Sequence, residues 1–382
     1  LIDLSQKLNE LSRQGLRRSR HIVESPQGIN LICDGKPVIN FCSNDYLGLA
    51  NHPNVINAFK SAVDNYGVGS GSAHLICGHS TAHHQLEEEL AAFTGRERAL
   101  LFSTGYMANM GAISALVGRG DTVLEDRLNH ASLLDGAMLS GAKLKRYAHA
   151  DCDHLNTLLA KAVGKHLIVT DGVFSMDGDF ALLQELSASA RQHKAWLMVD
   201  DAHGLGVLGE HGGGILEQTG LKQDDVQVLV GTLGKAFGTF GAFVAGSDEL
   251  IETLINTART YIYTTALPAA GAEATRTSLK LIQTETWRRD KLHHLIQHFR
   301  KSAKALDLTL LDSHTPIQPI LIGDTQKTVI ISRQLYDKGF LISAIRPPTV
   351  PSGSARLRIT LSVGHDDSQI DVLLDVLSSI IK

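Results

Sequence analysis

The chain has only four cysteines, Cys33, Cys42, Cys77 and Cys152, in 382 residues. No two of them form a C-x-x-C pair, and a chain of this length has no need of disulfide staples, so a reducing, cytoplasmic setting is expected. It also lacks any apolar run near the ~18 residues of a membrane span. The N-terminal stretch LIDLSQKLNELSRQGLRRSR is polar and amphipathic, without the apolar core of a secretory signal. Lys and Arg are dispersed and the net charge is only −4. That excludes the basic stripe of a nucleic-acid binder. Repeats, low-complexity tracts and long linkers are absent as well.

Glycine is plentiful, with 35 residues. This fits an α/β protein with tight turns and backbone close to a ligand. Apolar runs alternate with helix-period segments between about residues 85 and 255. Strands are expected at 98–102, 122–126, 166–172, 195–201, 226–231 and 241–246. Helices are expected after STG (103–105), from HASLLDGAM (130–138) and over 181–193. This rhythm predicts a largely parallel sheet covered by helices. Residues 1–45 read as an N-terminal arm with a strand pair, INLICDGKPVINFC, turned at Asp34-Gly35. Residues 46–267 form the expected large domain. A smaller α+β domain is expected over 268–382, with a helical stretch at 268–306, strands at 316–323 and 355–362, and helices at 326–338 and 366–381.

Ligands of open parallel sheets bind beyond the C-terminal strand ends. Ser103-Thr104-Gly105, Asn129-His130, Phe174-Ser175, Asp200 to His203 and Thr232 to Lys235 all follow strands, so five loops can face one cleft. Asp200 ends the apolar run WLMV, and a buried carboxylate needs a partner. A salt bridge or helix cap is the plain reading of an isolated Asp. Here His203 follows within one turn, and Gly204 and Gly206 leave room for something bulky. Gly105 and Tyr106 open a helix, whose N–H groups make an anion site, and Thr232 can add a hydroxyl. VGTLGKAFG (230–238) is not a Walker loop: Leu229 and Ala236 stand where that motif needs Gly and Ser or Thr. A lysine in a dry pocket is a usable amine nucleophile and base. Lys235, Asp200 and a helix-terminus phosphate cup can together hold pyridoxal 5'-phosphate (PLP), with His130 stacked on its ring.

The blocks VDDAHGLGVLG (199–209) and TLGKAFG (232–238) resemble the α-oxoamine synthase family of PLP enzymes. SNDYLGL (43–49), LLFSTGYMAN (100–109), DRLNHASLLDG (126–136), GVFSMDGD (172–179) and AIRPPTVPSGSARLRITLS (344–362) match it in the same order. The resemblance implies a fold-type I PLP transferase, a homodimer with sites at the subunit interface. It implies that Lys235 is the Schiff-base lysine, that Asp200 pairs with the pyridine nitrogen, and that His203 and Ser175 reach the phenolic side. His130 stacks on the ring, and Gly105, Tyr106 and Thr232 serve the phosphate. Thr264 or Thr265 reaches the neighbouring subunit's phosphate. Arg358 grips the amino-acid carboxylate, Asn44 is a substrate contact, and Arg17 and Thr349 contact the acyl substrate, with Arg18 and Arg20 as close competitors of Arg17.

Within the family, the AIRPPTVP block implies decarboxylative condensation of L-alanine with a pimeloyl thioester, on CoA or acyl carrier protein, a step of biotin biosynthesis. Relatives with the same chemistry on other pairs are glycine C-acetyltransferase, 5-aminolevulinate synthase and serine palmitoyltransferase. A PLP-binding protein without turnover is the alternative of another class. Residues 69–87 depart from the pattern at Ser72-Ala73-His74, where many relatives carry Gly-Ser and then Arg. His79 and His83 are spaced as helical metal ligands, but no third ligand is apparent in the sequence, and no metal is expected.

Overall fold

The computed structural model describes residues 4–381. Residues 1–3 and 382, at the ends of the first and last expected segments, lie outside the described residues. The chain divides into two compact units. The larger comprises His52–Phe174 and Phe180–Thr286. The smaller takes the chain up to Asn51, Ser175–Asp179 and the chain from Trp287 onward.

The larger unit is built on a seven-stranded sheet. Its strands are β1 (Arg98–Phe102), β2 (Thr122–Asp126), β3 (Lys143–Tyr147), β4 (His166–Asp171), β5 (Trp196–Asp200), β6 (Val228–Thr232) and β7 (Ala242–Gly246). The order is β1-β7-β6-β5-β4-β2-β3. All strands are parallel except β7, which runs against both its neighbours. Inner strands such as β4, with sequence HLIVTD, are buried almost throughout, as a sheet covered on both faces requires.

The sequence reading missed β3. Its sequence is KLKRY, and only Tyr147 is buried. It pairs with β2 alone, at the sheet edge, where exposed Lys and Arg discourage pairing with a further chain. Charge there hides the apolar signal that marks the inner strands.

Helix α1 (Gly105–Leu116) follows β1, and α2 (Ala131–Ser140) follows β2. They pack closely because Gly136 has no side chain. A Cβ there would lie 2.9 Å from Ile113 Cδ1 and 3.2 Å from the Met110 Cα. This approach brings Asn109 on α1 beside the start of α2.

Within β2, Glu125 is fully buried, and neither carboxylate oxygen has a hydrogen-bond partner among the described residues. Burial pushes its pKa up to about 7, opposed by Arg146. The folded state therefore holds this proton more tightly than the unfolded chain. The stability it contributes is present below about pH 4 and lost as pH rises through about 7. Glu125→Gln is expected to raise stability at pH 8 by up to about 3 kcal/mol, with the gain vanishing near pH 4. Calorimetric unfolding of both proteins across that range tests this; a gain independent of pH would refute it.

In the smaller unit, Asn30–Cys33 and Lys36–Asn40 form the expected hairpin. Asp34 and Gly35 turn it with φ of 49° and 73°, the paired positive values of a tight hairpin turn. Phe340–Leu341 adds a parallel strand. A second sheet has Ala355–Thr360 between Ile317–Gly323 and Ser343–Ile345. Pro319 is tolerated because its strand lies at the edge of that sheet. The helical stretch at 268–306 is two helices, Ala269–Thr284 and Trp287–Ala305, and the units divide between them.

Candidate active site

Because six strands run one way, their C-terminal ends form a single edge. Register fixes which residues meet there. Asp171 at the end of β4 lies opposite Asp200 at the end of β5. Phe102 of β1 and Thr232 of β6 flank the same residue of β7, Ala242. The loops carrying Gly105, His130, His203 and Lys235 therefore leave one edge, as the sequence implied for these positions.

Lys235 is half-buried, and its Nζ lies 2.8 Å from His203 Nε2, with the ammonium as donor. The glycines around it have separate reasons. A Cβ on Gly231 would lie 2.4 Å from Leu205 Cδ1 and 2.5 Å from Phe243 Cε1. Gly238 has φ of 66°, a left-handed conformation that closes the loop. Thr232 Oγ1 donates to the Gly241 carbonyl and accepts from the Gly234 N–H, both at 3.3 Å, which orients the loop from its base.

Asp200 is buried, and its two oxygens are aimed by different donors. Oδ1 accepts from the Ala202 N–H at 3.0 Å, and Oδ2 from Asn109 Nδ2 at 2.6 Å. The same Asn109 nitrogen reaches Ser132 Oγ at 2.8 Å, and Ser132 Oγ lies 2.8 Å from His130 Nδ1. A continuous chain, His130–Ser132–Asn109–Asp200, thus ties the carboxylate to the imidazole. The sequence reading passed over Asn109 and Ser132. The one available signal was an amide in the otherwise apolar helix YMANMGAISAL.

Asp171 was missed as well. It is buried, and Oδ2 accepts the His130 backbone N–H at 2.7 Å. Burial first, and the Asp200 charge second, push its pKa well above the usual carboxylate range. A proton retained on Asp171 spares the strand ends a second buried negative charge. The His130 pKa is lowered by burial, with Asp200 opposing and Lys235 reinforcing, so its ring is neutral at pH 7.

Asp201 explains a neighbouring glycine differently from the sequence reading. Its carboxylate occupies the space at Gly204, where a Cβ would lie 2.1 Å from Asp201 Oδ1. The room at Gly204 is filled by the chain's own side chain rather than left for a ligand.

Thr104 caps α1 by accepting the Met107 N–H at 3.2 Å. The N–H groups of Gly105 and Tyr106 lie in the first turn and have no intrahelical acceptor. Tyr106 donates to Asp135 and sets its ring edge-on to His130, with centroids 6.2 Å apart. Thr265 pairs with Ala73 in an isolated bridge, and its carbonyl accepts from Ser103 at 3.2 Å. Thr264 beside it is half-buried.

In the smaller unit, Arg358 is buried and donates three ways. Nε donates to the Ser175 carbonyl at 2.6 Å, Nη1 to Thr360 Oγ1 at 3.0 Å, and Nη2 to Asn44 Oδ1 at 3.2 Å. None of these bonded acceptors carries a charge. Separately, Arg18 rather than Arg17 donates to Thr349 Oγ1, at 3.2 Å. Arg17 takes part through its carbonyl, which accepts from Arg346 at 3.0 Å. A cleft of about 700 Å³ is lined by Arg17, Arg18, Lys36, Arg333 and Arg346, with Asp337 also in its wall.

An amine, a carboxylate, a neutral imidazole and a helix N-terminus on one sheet edge match the donor set that PLP requires. The aminotransferase class I and II family matches this sequence over residues 36–377. The chain belongs to that family. Its fold is accordingly that of the fold-type I PLP transferases.

Among curated relatives, it is 59% identical to an 8-amino-7-oxononanoate synthase from Saccharophagus degradans, covering 100% of this chain and 96% of the relative. Among solved structures of this aminotransferase fold, serine palmitoyltransferase of Sphingomonas wittichii aligns with a TM-score of 0.94 at 31% identity, covering 99% and 98% of the two chains. The 8-amino-7-oxononanoate synthase of Francisella tularensis aligns with a TM-score of 0.80 at 34% identity, covering 90% and 97%.

Proposed function

We propose that this enzyme makes 8-amino-7-oxononanoate from L-alanine and a pimeloyl thioester, releasing CO2 and the thiol, with PLP as cofactor. The observation that carries the reading is Lys235 and Asp200 set on one strand-end edge. The full-length similarity to 8-amino-7-oxononanoate synthases supports the choice of substrates. Glycine C-acetyltransferase, 5-aminolevulinate synthase and serine palmitoyltransferase chemistry would use the same edge. Identity of 59% to the former group against 31% to serine palmitoyltransferase favours the alanine reaction.

PLP, when bound, supplies an electron sink for the bonds at the alanine Cα. The protein's own groups do the rest. Lys235 would hold the cofactor covalently, and its Nζ would be the acceptor of the alanine Cα proton. His203 accepts from that amine and keeps it aimed. Asp200 would hold a proton on the ring nitrogen, its two oxygens fixed by Asn109 and the Ala202 N–H. His130, neutral and tethered through Ser132, would pack against the cofactor. The Gly105 and Tyr106 N–H groups and the Thr232 hydroxyl would bind the phosphate. Thr264 or Thr265 would serve the partner subunit's phosphate, and Ser175 would serve the phenolic oxygen.

Arg358 binds the alanine carboxylate. Among the described residues this buried guanidinium is bonded to neutral acceptors, and its planar fork suits two carboxylate oxygens. Asn44 holds that fork in position. The cationic cleft with Arg17 and Arg18, the latter bonded to Thr349, receives the anionic acyl substrate, presented by CoA or acyl carrier protein.

Arg358→Leu is expected to raise the KM for alanine by at least about 100-fold, as loss of a charged hydrogen-bonded pair implies. PLP absorbance is retained. An unchanged KM for alanine would remove Arg358 from the substrate site. The overall reaction is tested by product mass after mixing with alanine and pimeloyl-CoA, with glycine and serine in parallel. CO2 release with glycine or serine in preference to alanine would point to a sister reaction, and PLP absorbance without turnover to a binding protein.

We extend the reading to a homodimer in the cytoplasm. Val68, Leu75, Ile76, Phe240 and Tyr263 are exposed large apolar side chains of the larger unit. The Ala73–Thr265 bridge joins two of the segments that carry them. A second copy of the chain would cover them. Among the described residues, no helix is long and apolar enough to cross a membrane.

A further inference from the structure

A cluster of histidines lies in the larger unit, in the segment that departs from the family pattern. Helix α3 (Thr81–Thr94) carries His83, His84 and Glu87, and His79 precedes its cap, Ser80. His83 has no free ring nitrogen: Nδ1 accepts the Ser80 N–H at 3.0 Å, and Nε2 donates to the Leu267 carbonyl at 2.6 Å. The pair spaced for metal by sequence alone is thereby broken.

A different set converges. His84 and Glu87 are three residues apart and share a helix face. The ligating atoms of His79, His84 and Glu87 all lie within 4.8 Å of one another. His79 Nε2 and Glu87 Oε2 are 3.9 Å apart, too far for a hydrogen bond. Zinc held at about 2.0–2.2 Å by nitrogen and oxygen separates tetrahedral ligands by about 3.3–3.5 Å, so small side-chain rotations close the site.

Two further contacts prepare the ligands. His79 Nδ1 lies 3.0 Å from His74 Nδ1. With His79 donating, its Nε2 is left as a free acceptor 3.9 Å from Glu87 Oε2, the outer-shell arrangement typical of metal-bound histidine. Glu87 Oε1 is held by the Leu101 N–H at 2.9 Å, which leaves Oε2 for a cation. Against this, His84 Nε2 has only an exposed contact with Glu88 Oε1 at 3.5 Å to give up.

We propose that His79, His84 and Glu87 bind a divalent transition-metal ion of the zinc type. Two imidazoles and one carboxylate select such ions over calcium or magnesium. The site is independent of the reaction proposed above, because it is read by zinc binding alone.

The test is calorimetric titration of the PLP-loaded protein with zinc chloride. One zinc per chain is expected. His84→Ala, at an exposed position that does not threaten folding, and Glu87→Gln should each weaken binding at least about 10-fold. His74→Phe should weaken it by about 10-fold through the lost outer-shell bond. Cys77→Ser, at the exposed cysteine nearby, should leave it unchanged. Absence of zinc binding, or equal affinity in the His84 and Glu87 variants, would overturn the proposal. Loss of binding in the Cys77 variant would reassign the zinc to a thiolate and overturn it too.

Discussion

Lys235→Ala is expected to fold normally yet lose turnover by on the order of 10³-fold or more, about 4 kcal/mol in barrier. The side chain removed is the amine on the strand-end edge described above. On the proposed reading it serves both as covalent anchor and as proton acceptor, so its loss removes both. Two measurements separate these tasks. Borohydride reduction should fix PLP to the native protein at Lys235 and leave the variant unlabelled by mass. Added small amines should restore part of the proton transfer. Covalent labelling of the variant at native levels would show that another residue holds the cofactor.

Asp200→Asn should lower kcat by about 10³-fold while leaving PLP bound. The substitution removes the charge at nearly constant shape. The single amide oxygen can accept from only one of the two donors, Asn109 or the Ala202 N–H, so part of the network survives. What is lost is the negative charge that, on the proposed reading, keeps a proton on the ring nitrogen. The worth of a fixed charge aimed at a reacting system in a dry site is about 3–4 kcal/mol in comparable deletions. PLP affinity measured beside kcat decides the matter. Near-normal kcat would exclude the charge as the operative feature, and lost PLP binding would assign Asp200 to cofactor retention.

Much of this site was legible in the sequence because it sits where chain signals are strongest. Apolar runs end abruptly at Asp200 and before Lys235, and a parallel sheet sends all such ends to one edge. The hairpin at Asp34-Gly35 was equally legible, since that dipeptide supplies the two positive φ values the turn needs. Strand β3 was not, because an edge strand of Lys, Leu and Arg carries no core-facing run.

The sequence by itself determined which strands lie inside, which loops follow them, and that an amine, a carboxylate and an imidazole leave the same edge. The tertiary structure alone decided which polar groups touch. Asn109 meets Asp200 across 91 residues of sequence, and that contact depends on strand register and on the missing Cβ of Gly136. Asp201 fills the gap that Gly204 leaves, and Arg18 rather than Arg17 reaches Thr349. His79 stacks on His83, yet its Nε2 comes within 3.9 Å of Glu87. Hydrophobic periodicity assigns faces to elements, because burial depends on composition along one segment. Hydrogen bonds are directional and short, so their partners are set only once separate segments are packed to within a fraction of an ångström.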